Sequence, residues 1–137
     1  MTYHRSANAY RQNAVLSTSR EQLVPLLYEH LLVNLRRASK QITSRDIEGK
    51  AASVEKATAI LYELLGSLDH DAGEEIASRL ASLYSYFLKE IAEASRTLDE
   101  KRLAPVIETL ASLHESWVEA VKQVAEGRES GAFGSSA

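Results

Sequence analysis

The sequence predicts an all-α fold, an antiparallel four-helix bundle preceded by a short N-terminal cap segment that is helical or extended. Three observations support this. Apolar residues recur at helical spacing in four long segments, proline occurs only at positions 25 and 105, and neither alternating strand patterns nor Asn-Gly or Asp-Gly hairpin signals are present. Four amphipathic helices joined by loops of a few residues pack as an antiparallel bundle. A chain of 137 residues is long enough to bury a hydrophobic core without disulfides or metals.

The first helix is predicted from about Ser19 to Thr43. Thr18 and Glu21 have the spacing of a capping box, in which hydroxyl and carboxylate satisfy each other's backbone N–H groups. Its core face repeats at steps of three and four and comprises Val24, Tyr28, Leu31, Leu35, Ala38 and Ile42. Pro25 removes the hydrogen bond to the Glu21 carbonyl, so we expect a kink near the start of this helix.

The second and third helices follow a break at residues 44–46. The core face predicted for the second is Val54, Ala57, Leu61, Leu64 and Leu68. This helix is expected to end near residues 66–69, and Asp71 is the expected N-cap of the third. The core face predicted for the third is Ile76, Leu80, Leu83, Phe87, Ile91 and Ala94. We expect the third helix to stop near residues 97–99.

The fourth helix is predicted to start near Arg102, where Pro105 falls in the first two turns and its missing N–H costs least. Its predicted core face is Leu103, Val106, Leu110, Leu113, Trp117, Ala120 and Val124. Gly127 is the expected helix end.

These segments predict one helical-bundle domain over residues 1–127. Within it, residues 1–17 are expected to form a mobile N-terminal cap, since a helix this short is unstable alone in water. Residues 128–137 are rich in Ser and Gly, and we predict a disordered tail.

Composition excludes several function classes. No cysteine is present, which rules out disulfides, thiolate zinc sites and a cysteine nucleophile. A net charge of −3 argues against nucleic acid as a partner, because such proteins carry a basic face. The most apolar stretch, Leu23 to Leu35, is too short and too polar for membrane insertion. The first residues lack the apolar run of a secretory signal, so we expect a cytoplasmic protein, with export by a leaderless route still open.

Catalytic and metal motifs are not found. A di-iron bundle needs Glu three residues before His, and none of His4, His30, His70 and His114 has one. The Asp69-His70-Asp71 loop could hold a cation or an acid–base pair, but a solvated turn with a helix cap explains it better. Neither a Gly-x-Ser-x-Gly nucleophile elbow nor a glycine-rich phosphate loop occurs. We therefore predict no enzymatic activity, no cofactor and no metal.

The first helix is more apolar than a bundle helix needs to be. Nine of the thirteen residues from Leu23 to Leu35 are apolar, covering an arc of roughly 260°, whereas a stripe only somewhat wider than about 100° suffices. Either this helix is central and flanked on most sides, or part of the arc is an exposed groove for another helix. The second explanation is slightly favoured by further apolar residues outside the predicted core faces, namely Ile60, Tyr62, Tyr86 and Val118.

Several short motifs occur in a fixed order along the chain. They are Ala9-Tyr10, Leu27-Tyr28-Glu29, Ser67-Leu68-Asp69, Gly73-x-Glu75-Ile76-Ala77, Leu83-Tyr84-x-Tyr86 and, near the end, Leu113 and Trp117. In this order they resemble the flagellar secretion chaperone family (FliS) from about Tyr3 to Val124. The chain departs from the family pattern at Arg20, where proline is usual, at Glu74, where a second glycine is usual, and at His114, where arginine is usual.

The resemblance implies an export chaperone of the cytoplasm. Such a chaperone binds the disordered C-terminal segment of flagellin, prevents its premature polymerisation and delivers it to the flagellar type III export gate. It implies that the N-terminal segment covers part of the binding groove and, once displaced, docks on the cytoplasmic domain of a membrane protein of the gate. The chain is expected to be a monomer or a weak homodimer.

Two sets of site residues follow from the resemblance together with the apolar arc. The client-binding groove is predicted to comprise Leu23, Leu27, Tyr28, Leu31, Ile60, Leu64, Leu68 and Tyr84. The residues predicted for export-gate docking and for the cap are Ala7, Tyr10 and Asn13. An alternative is an adaptor or chaperone for another secreted helical protein that uses the same groove. A cofactor-binding bundle is disfavoured, because the predicted core faces carry no inward polar group beyond the Tyr28 hydroxyl.

Overall fold

The computed structural model describes residues 20–71 and 73–135, with side chains over 22–71 and 73–127. These residues form four helices, which are α1 (Arg20–Ser44), α2 (Ile47–Gly66), α3 (Glu74–Thr97) and α4 (Glu100–Ser135). No strand occurs in this part of the chain, and the all-α prediction is confirmed. The predicted N-terminal cap and the Thr18 capping residue lie outside the described residues.

Each helix packs mainly against two others, so the bundle is a square in cross-section. Helix α1 lies between α2 and α4, and α3 lies between the same two on the opposite side. Only residues 45–46 connect α1 to α2, and only residues 98–99 connect α3 to α4. Links this short force the chain to reverse, so neighbouring helices are antiparallel. Helix α1 therefore occupies a corner of the bundle, which removes the explanation of its wide apolar arc as that of a central helix.

One hydrophobic core runs along the bundle and draws on all four helices. The predicted core face of α1 is confirmed, because all its members except the partly buried Val24 are buried. In α4 the first three predicted residues, Leu103, Val106 and Leu110, are likewise buried. Burying side chains of this size stabilises the fold by about 1.5–3 kcal/mol each.

The predicted core faces of α3 and α4 are wrong at one end of the bundle. Ile76 is 67% exposed, and its neighbour Ala77 is buried instead. From Ala77 the buried face continues through Tyr84, so Ile76 is displaced from it by about 100°. Ala120 and Val124 in α4 are also exposed, because α4, at 36 residues, outruns neighbours of 20 to 25 residues.

The helix ends follow local capping chemistry. The break predicted at residues 44–46 is confirmed: Arg45 is left-handed (φ 61°), and the Asp46 side chain accepts the Gly49 N–H. The N-cap predicted at Asp71 is wrong, since α3 begins at Glu74 and Gly73 occupies the cap position without a side-chain bond.

Helix α4 differs from its prediction at both ends. It starts at Glu100, two residues before the predicted start, because the Asp99 carboxylate accepts the Lys101 N–H there. It also continues through Gly127 to Ser135, so the predicted helix end at Gly127 is wrong and residues 128–135 do not form a separate tail. Gly127 does not adopt the left-handed conformation that ends helices. An interior glycine costs a helix only about 1 kcal/mol. The proposed domain limits and the mobile cap remain predictions.

Candidate functional site

The end of the bundle that holds the two-residue connections is closed by polar contacts; we call it the closed end. With its amide nitrogen facing Ser53, Gln41 donates hydrogen bonds to the Ser53 hydroxyl at 2.7 Å and to the Gly49 carbonyl at 3.0 Å. These bonds tie α1 to α2. A Cβ at position 49 would lie 2.6 Å from the Gln41 amide nitrogen, so glycine permits this close approach.

Charged groups fix the other helices at the closed end. The Lys50 ammonium of α2 donates to the Ser95 carbonyl of α3 at 3.1 Å. Arg102 of α4 lies 3.3 Å from a Glu90 oxygen and 3.4 Å from a Glu93 oxygen of α3. Polar bonds across three helix pairs leave this end no exposed apolar cleft.

The opposite end, which we call the open end, carries an apolar cleft of about 380 Å³. This volume is in the range of about 300–1,000 Å³ that binding pockets occupy. All four helices contribute to its lining, which comprises Val24, Leu64, Ser67, Leu68, Asp69, Gly73, Ile76, Ala77, Leu80, Tyr84 and Trp117.

Local sequence explains why the cleft forms at this end. Residues 67–73 separate α2 from α3, compared with two-residue links at the closed end, so the helices are not drawn together by a tight turn. Gly73 and Ala77 are small and fill little of the space between them. Ile76 adds an exposed apolar side chain to the cleft lining.

The inner wall of the cleft belongs to a buried aromatic cluster. The hydroxyl oxygens of Tyr28 and Tyr84 are 2.5 Å apart and share a hydrogen bond. The Tyr28 ring also lies 6.5 Å, centroid to centroid, from the rings of both Trp117 and His114. Burial raises the pKa of both tyrosines above its ordinary value, which keeps both hydroxyls protonated and neutral.

A second surface, which we call the α1–α4 groove, lies between those two helices and is of mixed polarity. Its larger part, about 510 Å³, is lined by Glu29, His30, Leu32, Val33, Arg36, Ala111, His114 and Glu115. Leu26, in its smaller part, and Val33 are 46% and 44% exposed. The wide apolar arc of α1 is thus partly solvent-facing. In the described part of the chain, His114 Nε2 is buried without a hydrogen-bond partner.

The structure distributes the predicted groove residues over three environments. Leu64, Leu68 and Tyr84 line the cleft, and Tyr28 lies behind Tyr84. Leu31 is fully buried in the core. The remaining members, Leu23, Leu27 and Ile60, are partly buried and do not line the cleft. Ala7, Tyr10 and Asn13 lie outside the described residues. Client binding by these residues stays a prediction.

Sequence reasoning missed five apolar cleft residues as site residues. They are Val24, Ile76, Ala77, Leu80 and Trp117. Four had been assigned to the core faces of their helices. The available signal was the run Ile76-Ala77, Leu80 and Tyr84, which places one broad apolar face on the first turns of α3, next to the longest connection.

Searches for other kinds of site add two findings. Among the described residues, no group of three or more His, Asp or Glu side chains is arranged to hold a metal ion. In the loop once considered for a cation, His70 Nδ1 lies 3.6 Å from a Glu74 oxygen. None of the described helices is both long and apolar enough to cross a membrane.

A four-helix bundle with an apolar cleft at one end and a polar closure at the other defines a helical binding protein. The family model described as "Flagellar protein FliS" matches residues 3–124, and the chain belongs to this family. The flagellar secretion chaperone FliS of Campylobacter jejuni is 36% identical over 112 residues, covering 82% of this chain and 88% of the relative. The chaperone of the same name from Escherichia coli K12 is 31% identical and covers 80% and 82%.

The resemblance drawn from the sequence motifs is therefore confirmed. A more distant relative, the flagellar secretion chaperone FliS of Bacillus subtilis, is 27% identical and covers 88% of this chain and 89% of its own. Similarity over nearly the whole chain gives this protein a chaperone role in flagellar export.

Proposed function

We propose that this chain is a cytoplasmic export chaperone without catalytic activity, and that it binds the disordered C-terminal segment of flagellin. Binding prevents premature polymerisation and delivers flagellin to the flagellar type III export gate. The observation that carries the proposal is the apolar cleft at the open end, which is of pocket size and is built by all four helices. The flagellar secretion chaperones to which this chain is similar support the class of client.

The cleft suits a client that orders on binding. An amphipathic helix inserts side chains at i, i+3, i+4 and i+7 into such a groove, and each Å² of apolar surface buried contributes about 25 cal/mol. Ile76 and Leu80 already present apolar surface on the α3 side of the cleft. The client loses conformational entropy when it orders, which lowers its affinity and keeps the complex releasable for export.

The N-terminal segment has a proposed role at the same end. Val24, near the start of α1, lines the cleft, so the residues that precede α1 enter the bundle beside it. We assign Ala7, Tyr10 and Asn13 to a cover over the cleft and, after displacement, to docking on the cytoplasmic domain of an export-gate membrane protein. Tyr10→Ala should then spare client binding and weaken docking, as measured by co-purification with that domain.

Titration calorimetry with a peptide of roughly the last forty residues of the host's flagellin tests the proposal. We expect binding with a negative heat-capacity change, because apolar surface is buried and the peptide folds. The matched control is the same peptide with its apolar anchor residues changed to Asp, which should not bind. If the unmodified peptide does not bind while another secreted helical protein does, the chain is an adaptor for that protein and the flagellin proposal is wrong.

A further inference from the structure

The hydroxyls of Tyr28 and Tyr84 carry two protons, but their mutual hydrogen bond uses only one. In the described part of the chain no acceptor is recorded for the other proton. A buried hydroxyl without an acceptor is destabilising, so the position of this proton matters. Either oxygen can be the donor in the shared bond, and the choice decides which tyrosine keeps the unused proton.

The surroundings favour Tyr28 as the donor and Tyr84 as the acceptor. Tyr28 is fully buried and does not line the cleft, and its oxygen is also hydrogen-bonded by the Trp117 side chain. An unused proton on Tyr28 would therefore be sealed in the core. Tyr84 lines the cleft, so its unused proton can reach an acceptor on a bound molecule. The resulting chain of donors runs from Trp117 to Tyr28 to Tyr84 and ends at the cleft.

We propose that the Tyr84 hydroxyl donates a hydrogen bond to a carbonyl oxygen of the segment bound in the cleft. This inference rests on the proposed function and gives the cleft a requirement beyond apolar character. The segment must bring a side-chain amide or a carbonyl of a last helical turn beside its apolar anchors. A helix end has four such carbonyls without intrahelical partners. A purely apolar helix would leave the Tyr84 proton unpaired and bind more weakly.

The test compares Tyr84→Phe with Tyr28→Phe in the full chain. Each variant removes one oxygen from the same pair and keeps its ring, so both disturb the buried hydrogen bond. Only Tyr84→Phe removes the donor that lines the cleft. Calorimetry with the flagellin C-terminal peptide should show affinity about three- to tenfold lower for Tyr84→Phe, the range for one hydrogen bond. Tyr28→Phe should bind within twofold of the unchanged chain.

A peptide series makes the test independent of small changes in folding. Replacing each Asn or Gln of the peptide in turn, and shortening its helix end, should identify one acceptor. Its removal should weaken binding to the unchanged chain and have no further effect on Tyr84→Phe, as expected for coupled partners.

The outcomes separate this inference from the proposed function. Equal losses in the two Phe variants, or no loss in Tyr84→Phe, would overturn the role of Tyr84 while leaving client binding intact. A peptide series without any acceptor coupled to Tyr84 would also overturn it. If the unchanged chain does not bind the peptide at all, both the proposed function and this inference are wrong.

Discussion

The two ends of the bundle are built from the same four helices, yet they differ in how they satisfy their surfaces. The closed end has two-residue connections, a side-chain N-cap at Asp46 and polar links between three helix pairs. The open end has a longer connection, a cap at Gly73 without a side-chain bond, and apolar walls that face solvent. Stability is therefore concentrated at one end and unsatisfied apolar surface at the other, which leaves the second available for binding.

The largest expected effect is on stability and distinguishes core from cleft within α3. Ile91→Ala removes a fully buried side chain and should lower the free energy of unfolding by about 2–5 kcal/mol. Leu80→Ala, in the partly buried cleft wall, should cost about 1–2 kcal/mol. Urea denaturation measures both, and calorimetry should show client affinity reduced only by Leu80→Ala. A larger stability loss for Leu80→Ala would contradict the division.

The next effect is on binding and compares one substitution at the two ends. Ile76→Asp and Ile47→Asp both place a carboxylate in the first turn of a helix, at positions 67% and 50% exposed. The macrodipole favours negative charge there, so neither should alter the free energy of unfolding by more than about 0.5 kcal/mol. Affinity for the flagellin peptide should fall at least tenfold for Ile76→Asp, because a charge enters the cleft, and should be unchanged for Ile47→Asp. Equal affinities for the two variants would locate the client elsewhere, with the α1–α4 groove as the next surface to test.

A smaller effect comes from capping. Asp46→Ala deletes the hydrogen bond to the Gly49 N–H and should lower the free energy of unfolding by about 1 kcal/mol. Gly73→Asp at the open end should raise it by a few tenths of a kcal/mol, since a Cβ there has room, with Ile76 Cβ at 4.0 Å. Thermal unfolding measures both changes. Destabilisation by Gly73→Asp would show that the open end requires glycine for another reason.

The smallest effect depends on pH and belongs to the closed end. A hydrogen bond from Arg96 lowers the pKa of Glu93 below its ordinary value. Because the folded-state pKa is below the unfolded value, the contribution of Glu93 is present at neutral pH and is lost as pH falls through the lowered pKa. The Tm difference between the unchanged chain and Glu93→Gln should therefore shrink from pH 7 to strongly acidic pH. A difference that grows on acidification would reverse the assignment.

Sequence periodicity was sufficient for the fold but not for the separation of cleft from core. Tyr28, Leu35 and Ile91 were placed correctly because a step of three or four residues keeps a side chain on one helix face. The cleft residues Leu68 and Leu80 obey the same spacing, so periodicity cannot distinguish them. Their different role comes from where neighbouring helices end, which depends on helix lengths and on the connection at residues 67–73.

The errors in element ends have a similar origin. Asp71 has the chemistry of an N-cap, but the helix begins three residues later, and a glycine serves there. Gly127 has the composition of a helix end but a helical conformation. Residue type gives the tendency in both cases, and the packing of the flanking turns decides the position.

The antiparallel order of the helices also determines where this protein can be labelled. The start of α1 and the later turns of α4 both lie beside the cleft, whereas the turn at Arg45 is one helix length away, roughly 30 Å for the 20 residues of α2. A fusion partner attached before α1 or after α4 would crowd the cleft, but a dye at position 45 would not. The single tryptophan of the chain, Trp117, already lies in the cleft wall, so energy transfer from it to that dye would monitor cleft occupancy without a second label.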